Sequence, residues 1–237
     1  MKKGFIKFFL FFTVTAAVLC GCDGEGKTAF TVNEVAVSRE ELVFYMRRSS
    51  DAVIAQIEEK YELSAEDKEF WEKPIENTTP LELLRDTAQK EIVRSKILFL
   101  EAEKCGDNPL LTYSEQQTAW KKDNDERLRS EQAGKTVYGV TLRSFYTYLS
   151  LLTSDAENRL KAELEKNETI GASEQEIKAY YSAHPEYFSG ESSGLDDNKQ
   201  SIRSRILNEK FESYLNGLAE KAEIKYIDMK VNTDLLD

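Results

Sequence analysis

The sequence predicts a mainly α-helical protein with a small β element formed by its N- and C-terminal strands. Over several long stretches, apolar residues recur at helical steps of three, four and seven, and Ser or Thr precedes most of these stretches. Short β-prone runs lie at the two ends of this helical region, before the first stretch and after the last one. We therefore expect helices that pack on one another, with the two terminal runs paired as strands.

The N-terminus has the layout of a secretory signal: three lysines, then an apolar run from Phe8 to Leu19. This run is shorter than the roughly 20 apolar residues that span a membrane. The following Leu-Cys-Gly-Cys resembles a bacterial lipobox, which implies that residues 1–21 are removed and that Cys22 is lipidated. Cys20 departs from that pattern, where Ala, Ser or Gly is more usual. The alternatives are an ordinary cleaved signal with a chance cysteine, or an uncleaved anchor.

The composition is acidic, with a net charge of −11 over 237 residues. The first 21 residues carry three lysines and no acid, so the remaining chain carries −14 (−11 minus 3). This charge argues against nucleic-acid partners and against charge-driven binding to anionic headgroups.

After processing, Cys105 is the one cysteine left unmodified, which excludes an intramolecular disulfide. We expect it to be a small buried residue at a helix end rather than a reactive thiol.

The N-terminal half begins with a tether at 22–29 and two short strand runs that flank Asn33-Glu34, as a hairpin or a bent strand. Ser38 and Glu41 form a capping-box pattern for a first helix that ends near Tyr61. Thr79-Pro80 is an N-cap followed by an N1 proline, and the long helix that it opens stops at Gly106.

Three further helices follow in the middle of the chain. Ser114 begins a second capping box, and its mostly charged helix, running toward Gln132, is expected on the outside. Thr141 is the predicted cap of a long fourth helix, whose aromatic stripe is expected in the core; the stripe is Phe145, Tyr146 and Tyr148. Ser173 begins a third capping box and a short helix that ends at His184-Pro185.

The C-terminal part contains a polar loop at 189–200, a last helix and a strand at 223–227. We expect this strand to pair near Val32 or Val35, which would join the two ends of the chain. The predicted helical domain covers residues 30–228, and residues 229–237 form a flexible tail.

The sequence offers little catalytic chemistry. His184 is the single histidine, and its place beside Pro185 indicates a surface helix end rather than a catalytic or metal site. Nucleotide-binding glycine motifs are missing from the sequence, so we expect no cofactor, no metal and no nucleotide. Acidic pairs such as Glu40-Glu41 and Glu58-Glu59 indicate solvated helix faces, with a catalytic carboxylate pair as the alternative.

Aromatic residues outside the helical periodicity are candidates for an exposed binding surface: Phe70, Trp71, Trp120 and Tyr138.

The segment from Ser173 to Phe188 resembles an element of SurA-like and PrsA-like foldases, (S/T)-x-x-E-I-x-x-Y-Y-x-x-(N/H)-P-x-x-F. In that family this element joins a helical chaperone portion to a parvulin prolyl-isomerase domain. Here only a short polar stretch separates Phe188 from the last helix, and the parvulin site requires a histidine pair. The resemblance therefore implies the chaperone module without its isomerase domain, and no enzyme.

Together these features predict an ATP-independent chaperone that is lipid-anchored on the extracytoplasmic face of the cell membrane, facing the periplasm or the cell wall. Unfolded or extended secreted proteins would bind in an apolar cradle formed by helices of the N-terminal half and the last helix. The alternative is an adaptor or assembly lipoprotein with one dedicated protein partner.

Overall fold

A computed structural model describes residues 27–106, 109–188, 194–231 and 233. Within these ranges the chain is mainly helical, with one small sheet, as the sequence predicted. The strands are β1 (Thr28–Val32), β2 (Val35–Ser38) and β3 (Ile224–Tyr226), and two short 3-10 turns cover Phe70–Glu72 and Pro185–Tyr187. The helices are α1 (Arg39–Tyr61), α2 (Pro80–Lys104), α3 (Tyr113–Gln132), α4 (Phe145–Lys166), α5 (Glu174–Ala183) and α6 (Leu195–Ala219).

The sheet joins the two ends of the chain through β1, which lies between β2 and β3 and is antiparallel to both. Asn33 and Glu34 have positive φ angles of 46° and 72°. Positive φ at both central residues is typical of the two-residue turns that match strand twist, so the predicted hairpin is confirmed. Val32 lies opposite Ile224 in the ladder, which confirms one of the two predicted pairings.

Three of the five predicted N-caps are confirmed, at Ser38, Thr79 and Ser173. Thr79 and Ser173 form complete capping boxes with the glutamates three residues later. Ser38 accepts from the backbone N–H of Glu41, but the reciprocal bond is missing because the Glu41 side chain turns into the core. Only half of that predicted box therefore forms.

Two predicted caps are wrong. The N-cap of α3 lies two residues earlier than predicted. Thr112 and Glu115 form its capping box, so Ser114 lies inside the helix. α4 is capped by Ser144, whose hydroxyl accepts from Thr147. The Thr141 hydroxyl is instead used as a donor to the Glu131 carboxylate, 2.7 Å away. In both places a nearby Ser or Thr could cap the helix equally well, so the sequence pattern alone did not identify the N-cap.

The core is built around α2, which packs against α1, α4 and α6. A second, smaller cluster lies between α5 and the first half of α6, and consists of Ile177, Ile202 and Ile206. α3 buries only Tyr113 and Gln116, so its predicted place on the outside is confirmed. The helix α3 therefore contributes surface rather than core.

Several predicted boundaries differ from the structure. α6 begins at Leu195, inside the predicted 189–200 loop, because Leu195 packs against the smaller cluster. β1 begins at Thr28, inside the predicted tether, and Met229 and Val231 of the predicted flexible tail pack on the core. Cys105 is exposed, so its predicted burial is wrong. The predicted signal peptide and Cys22 lie outside the described residues.

Candidate interaction surface

Phe70 does not belong to a binding surface. The 3-10 turn at 70–72 directs its ring into the main core, where the residue is 2% exposed. The half-buried Trp71 packs edge-on against it, with ring centroids 5.0 Å apart. The prediction that Phe70 belongs to an exposed surface is therefore wrong, and Trp71 packs partly against the core.

Trp120 is half-buried and has a structural role. Its indole N–H donates to the carbonyl of Arg143 at 2.7 Å, and its ring lies 5.6 Å from that of Phe145. Phe145 also meets Phe44 and Tyr113 at centroid distances of 5.1 and 5.2 Å. These aromatic rings join α1, α3 and α4 where the α3–α4 connection returns to the body. In the predicted core stripe, Phe145 packs on the core, whereas Tyr146 is exposed.

Tyr138 is the predicted site residue that the structure places in solvent. It is 84% exposed, and Val140 and Leu142 in the same connection are 64% and 60% exposed. We call these three alternate residues the 138–142 ridge. Single exposed apolar residues are ordinary, but several together indicate an interaction site. Sequence reasoning found Tyr138 and missed Val140 and Leu142, although their every-second-residue spacing was visible.

The ridge is held in place by the guanidinium of Arg127 on α3. It donates to the carbonyls of Tyr138 at 2.8 Å, Val140 at 2.6 Å and Thr141 at 3.1 Å. Charge-assisted hydrogen bonds of this kind are stronger than neutral ones. The backbone of the connection is therefore fixed along α3 while its apolar side chains remain in solvent.

A second anchor fixes the end of the ridge. Asn124 donates to the Arg143 carbonyl and accepts from the Arg143 N–H, both at 2.9 Å. The Arg143 guanidinium in turn pairs with Asp123 at 3.1 Å. Positive φ angles at Gly134 and Gly139, of 69° and 77°, provide the turns that a residue with a Cβ would adopt only with strain.

A groove of 560 Å³ between α2 and α6 occupies the position of the predicted cradle. Val93, Ala219 and Ile224 contribute apolar wall to it, and the other lining residues are polar: Gln89, Lys90, Glu91, Arg94, Asn216 and Glu220. Most of these residues are polar by type, but the surface that they expose to the groove is mainly apolar. The two most exposed apolar side chains, Tyr138 and Val140, lie elsewhere, on the α3–α4 connection.

A buried ion pair beneath the α2–α3 connection was not predicted. Lys96 on α2 and Glu41 on α1 are almost completely buried, with Nζ and Oε1 2.8 Å apart. Lys96 also donates to the Leu111 carbonyl at 2.7 Å. Burial raises the pKa of Glu41, and Lys96 opposes that rise. The prediction that Glu41 lies on a solvated face is therefore wrong.

His184 lies at the C-cap of α5, which confirms the predicted helix end, and it is half-buried rather than fully at the surface. Its ring stacks against Tyr187, with centroids 5.4 Å apart, and its Nδ1 lies 3.3 Å from Glu186. Nucleophilic side chains are not part of this arrangement within the described ranges.

The chain matches no family model, no curated protein and no solved structure. Among the helices of the described residues, none combines the length and the apolarity needed to cross a membrane. Within the same residues, no three His, Cys, Asp or Glu side chains are grouped for a metal ion.

Proposed function

We propose that this protein is an extracytoplasmic, ATP-independent chaperone, anchored to the membrane through a lipid on Cys22, that binds extended polypeptides by contact rather than by catalysis. The single observation that carries the proposal is the 138–142 ridge, where three large apolar side chains are exposed to solvent within five residues. The proposed ligands are unfolded or extended secreted proteins, with no nucleic acid and no nucleotide.

The expected affinity is low. Full burial of one side chain of this kind contributes about 1.5–3 kcal/mol. Association itself costs several kcal/mol in lost motion and in ordering of the client. Three side chains therefore support reversible capture of a client, which suits a protein that must release it without ATP.

The acidic charge favours basic clients and keeps the holder in solution. Salt screens such long-range attraction but leaves contact between apolar groups in place. If the ridge is the main contact, binding at high salt should be nearly as strong as at low salt.

The test is light scattering of an aggregating, unfolded secreted protein without ATP, with the chain from residue 23 onward added near equimolar amounts. The wild-type chain should suppress scattering at low and high salt. A variant with Tyr138→Ser, Val140→Ser and Leu142→Ser should lose most of this effect. Tyr187→Ser is the matched control, because it removes one exposed aromatic ring outside the ridge and should leave suppression unchanged.

The alternative function is an adaptor with one dedicated protein partner, and the fixed backbone of the ridge favours it. Pre-organised surfaces lose less entropy on binding a fixed partner. Arg127→Ala should release the connection and weaken a dedicated complex strongly, while capture of varied extended clients should change little. The adaptor function would be supported if the protein does not suppress the scattering of several unrelated clients and if one stoichiometric partner is recovered with it from membranes.

A further inference from the structure

The two ends of the described chain meet at one corner of the sheet. Phe30 of β1 lies opposite Tyr226 of β3, and the N–H groups of Ile227 and Asp228 both donate to the Ala29 carbonyl, at 3.0 and 2.9 Å. The Arg39 guanidinium, at the start of α1, pairs with the Asp228 carboxylate. The segment after β3 is therefore fastened beside the first residues of β1.

Tyr226 and Ile227 are exposed at this corner although both are large and apolar. They are 61% and 62% exposed, and the Tyr226 hydroxyl accepts from the Gln89 amide at 2.9 Å, which fixes the ring. We call these two residues the β3 corner. Two exposed apolar residues next to each other form a small candidate contact surface.

The charge around the β3 corner differs from that of the whole protein. Lys27, Lys225 and Lys230 are exposed beside it, and Arg39 adds a fourth cation. Of the nearby acids, Glu223 pairs with Lys225 and Asp228 pairs with Arg39, so these six groups carry a net charge of +2 (four cations minus two acids). The rest of the molecule is acidic and would be repelled by an anionic lipid surface. Electrostatics would thus turn this corner, and not the acidic body, toward such a surface.

The chain path sets the distance to the bilayer. The predicted lipid site Cys22 precedes Thr28 of β1 by six residue steps, which span at most about 20 Å when fully extended. β3 lies directly beside β1, so the same short segment limits how far the β3 corner can move from the lipid.

We infer that Tyr226 and Ile227 insert into the interfacial region of the bilayer that holds the Cys22 lipid, with the three lysines at the headgroups. This inference rests on the proposed lipid anchoring. Tyr is enriched at membrane interfaces because its ring is apolar and its hydroxyl polar. Apolar and basic contacts of the protein with the bilayer add to the membrane affinity that a lipid anchor supplies.

The test uses the full-length lipidated protein in vesicles of equal phosphatidylcholine and phosphatidylglycerol, with Cys105→Ser as background. Ile227→Cys carries a polarity-sensitive fluorophore, and Tyr187→Cys with the same label is the control at a similarly exposed site. We expect a blue shift at position 227 and several-fold stronger quenching by lipid-attached quenchers than at position 187. Lys27→Glu with Lys230→Glu should reduce this quenching on the anionic vesicles.

Two results would overturn the inference, and they differ in whether the proposed lipid anchoring is overturned as well. If the protein floats with the vesicles while the label at 227 stays as water-exposed as the one at 187, the inference fails and the anchoring stands. If the protein does not float with the vesicles, the anchoring fails and the inference fails with it.

Discussion

At the scale of single residues, the pair Glu41–Lys96 explains how the end of the α2–α3 connection is positioned. Both side chains are buried, and Lys96 spans from the start of α1 to the Leu111 carbonyl before α3. Gln116 adds a bond to the Leu110 carbonyl at 2.9 Å. Two buried polar side chains thus fix the segment from which α3 begins.

Removal of one member of this pair should be costly, because the partner charge stays buried without compensation. We expect Lys96→Met to lower the free energy of unfolding by about 3–5 kcal/mol, measured by urea denaturation. The double variant Glu41→Leu with Lys96→Met should recover much of that loss, since it buries no charge. Additive losses in the double variant would show that the two residues are not coupled.

The same pair marks a limit of sequence reasoning. Lys96 stands four residues after Ile92 and three before Phe99, so the helical period places it within the apolar stripe of α2. That position was a signal for a buried lysine. Its partner was not identifiable, because Glu41 is distant in sequence and its local pattern fitted a capping box equally well.

At the scale of elements, α5 is held on α6 by Lys210. Its ammonium contacts the Glu176 carboxylate at 2.5 Å and the Gly171 carbonyl at 2.6 Å. Lys210, together with the Ser173 cap, lowers the pKa of Glu176 to about 2 from an ordinary 4.5. The carboxylate therefore closes the α5 capping box and ties the two helices together at once.

The lowered pKa predicts the pH range over which this contact stabilises the fold. A carboxyl group with a lowered folded pKa contributes stability that is complete above about 4.5 and is lost as pH falls toward about 2. The difference in unfolding free energy between wild type and Lys210→Met should shrink across that range in urea titrations at several pH values. Lys199→Met, which removes the exposed Lys199–Glu174 pair, is the control and should cost less. A difference that does not change with pH would contradict this account.

The elements were predictable to the extent that their signals are local. Helix periodicity and caps identified α1, α2 and α5, and the hairpin followed from short strands around two polar residues. The starts of α3 and α4 were wrong because adjacent hydroxyl residues offered equivalent caps. Phe70 and Tyr138 both lie in non-periodic segments, and only tertiary packing buries the one and exposes the other.

At the scale of the whole molecule, the proposed location depends on the proposed lipid at Cys22. Each buried CH₂ of an acyl chain contributes about 0.8 kcal/mol. Cys22→Ala should therefore move the protein from the membrane fraction to the soluble fraction after cell lysis. Cys105→Ala is the control and should remain with the membranes. Retention of the Cys22→Ala protein with an uncut leader would support the uncleaved anchor instead.

The central place of β1 has a mechanical consequence. The lipid tether would enter the fold through this strand, whose neighbours come from opposite ends of the chain. A pull along the strand axis loads the hydrogen bonds to β2 and to β3 in shear, all at once, and does not peel them one by one. A force on the tether would thus act on a strand that is hydrogen-bonded on both sides, and it would be shared between the first and last parts of the described chain.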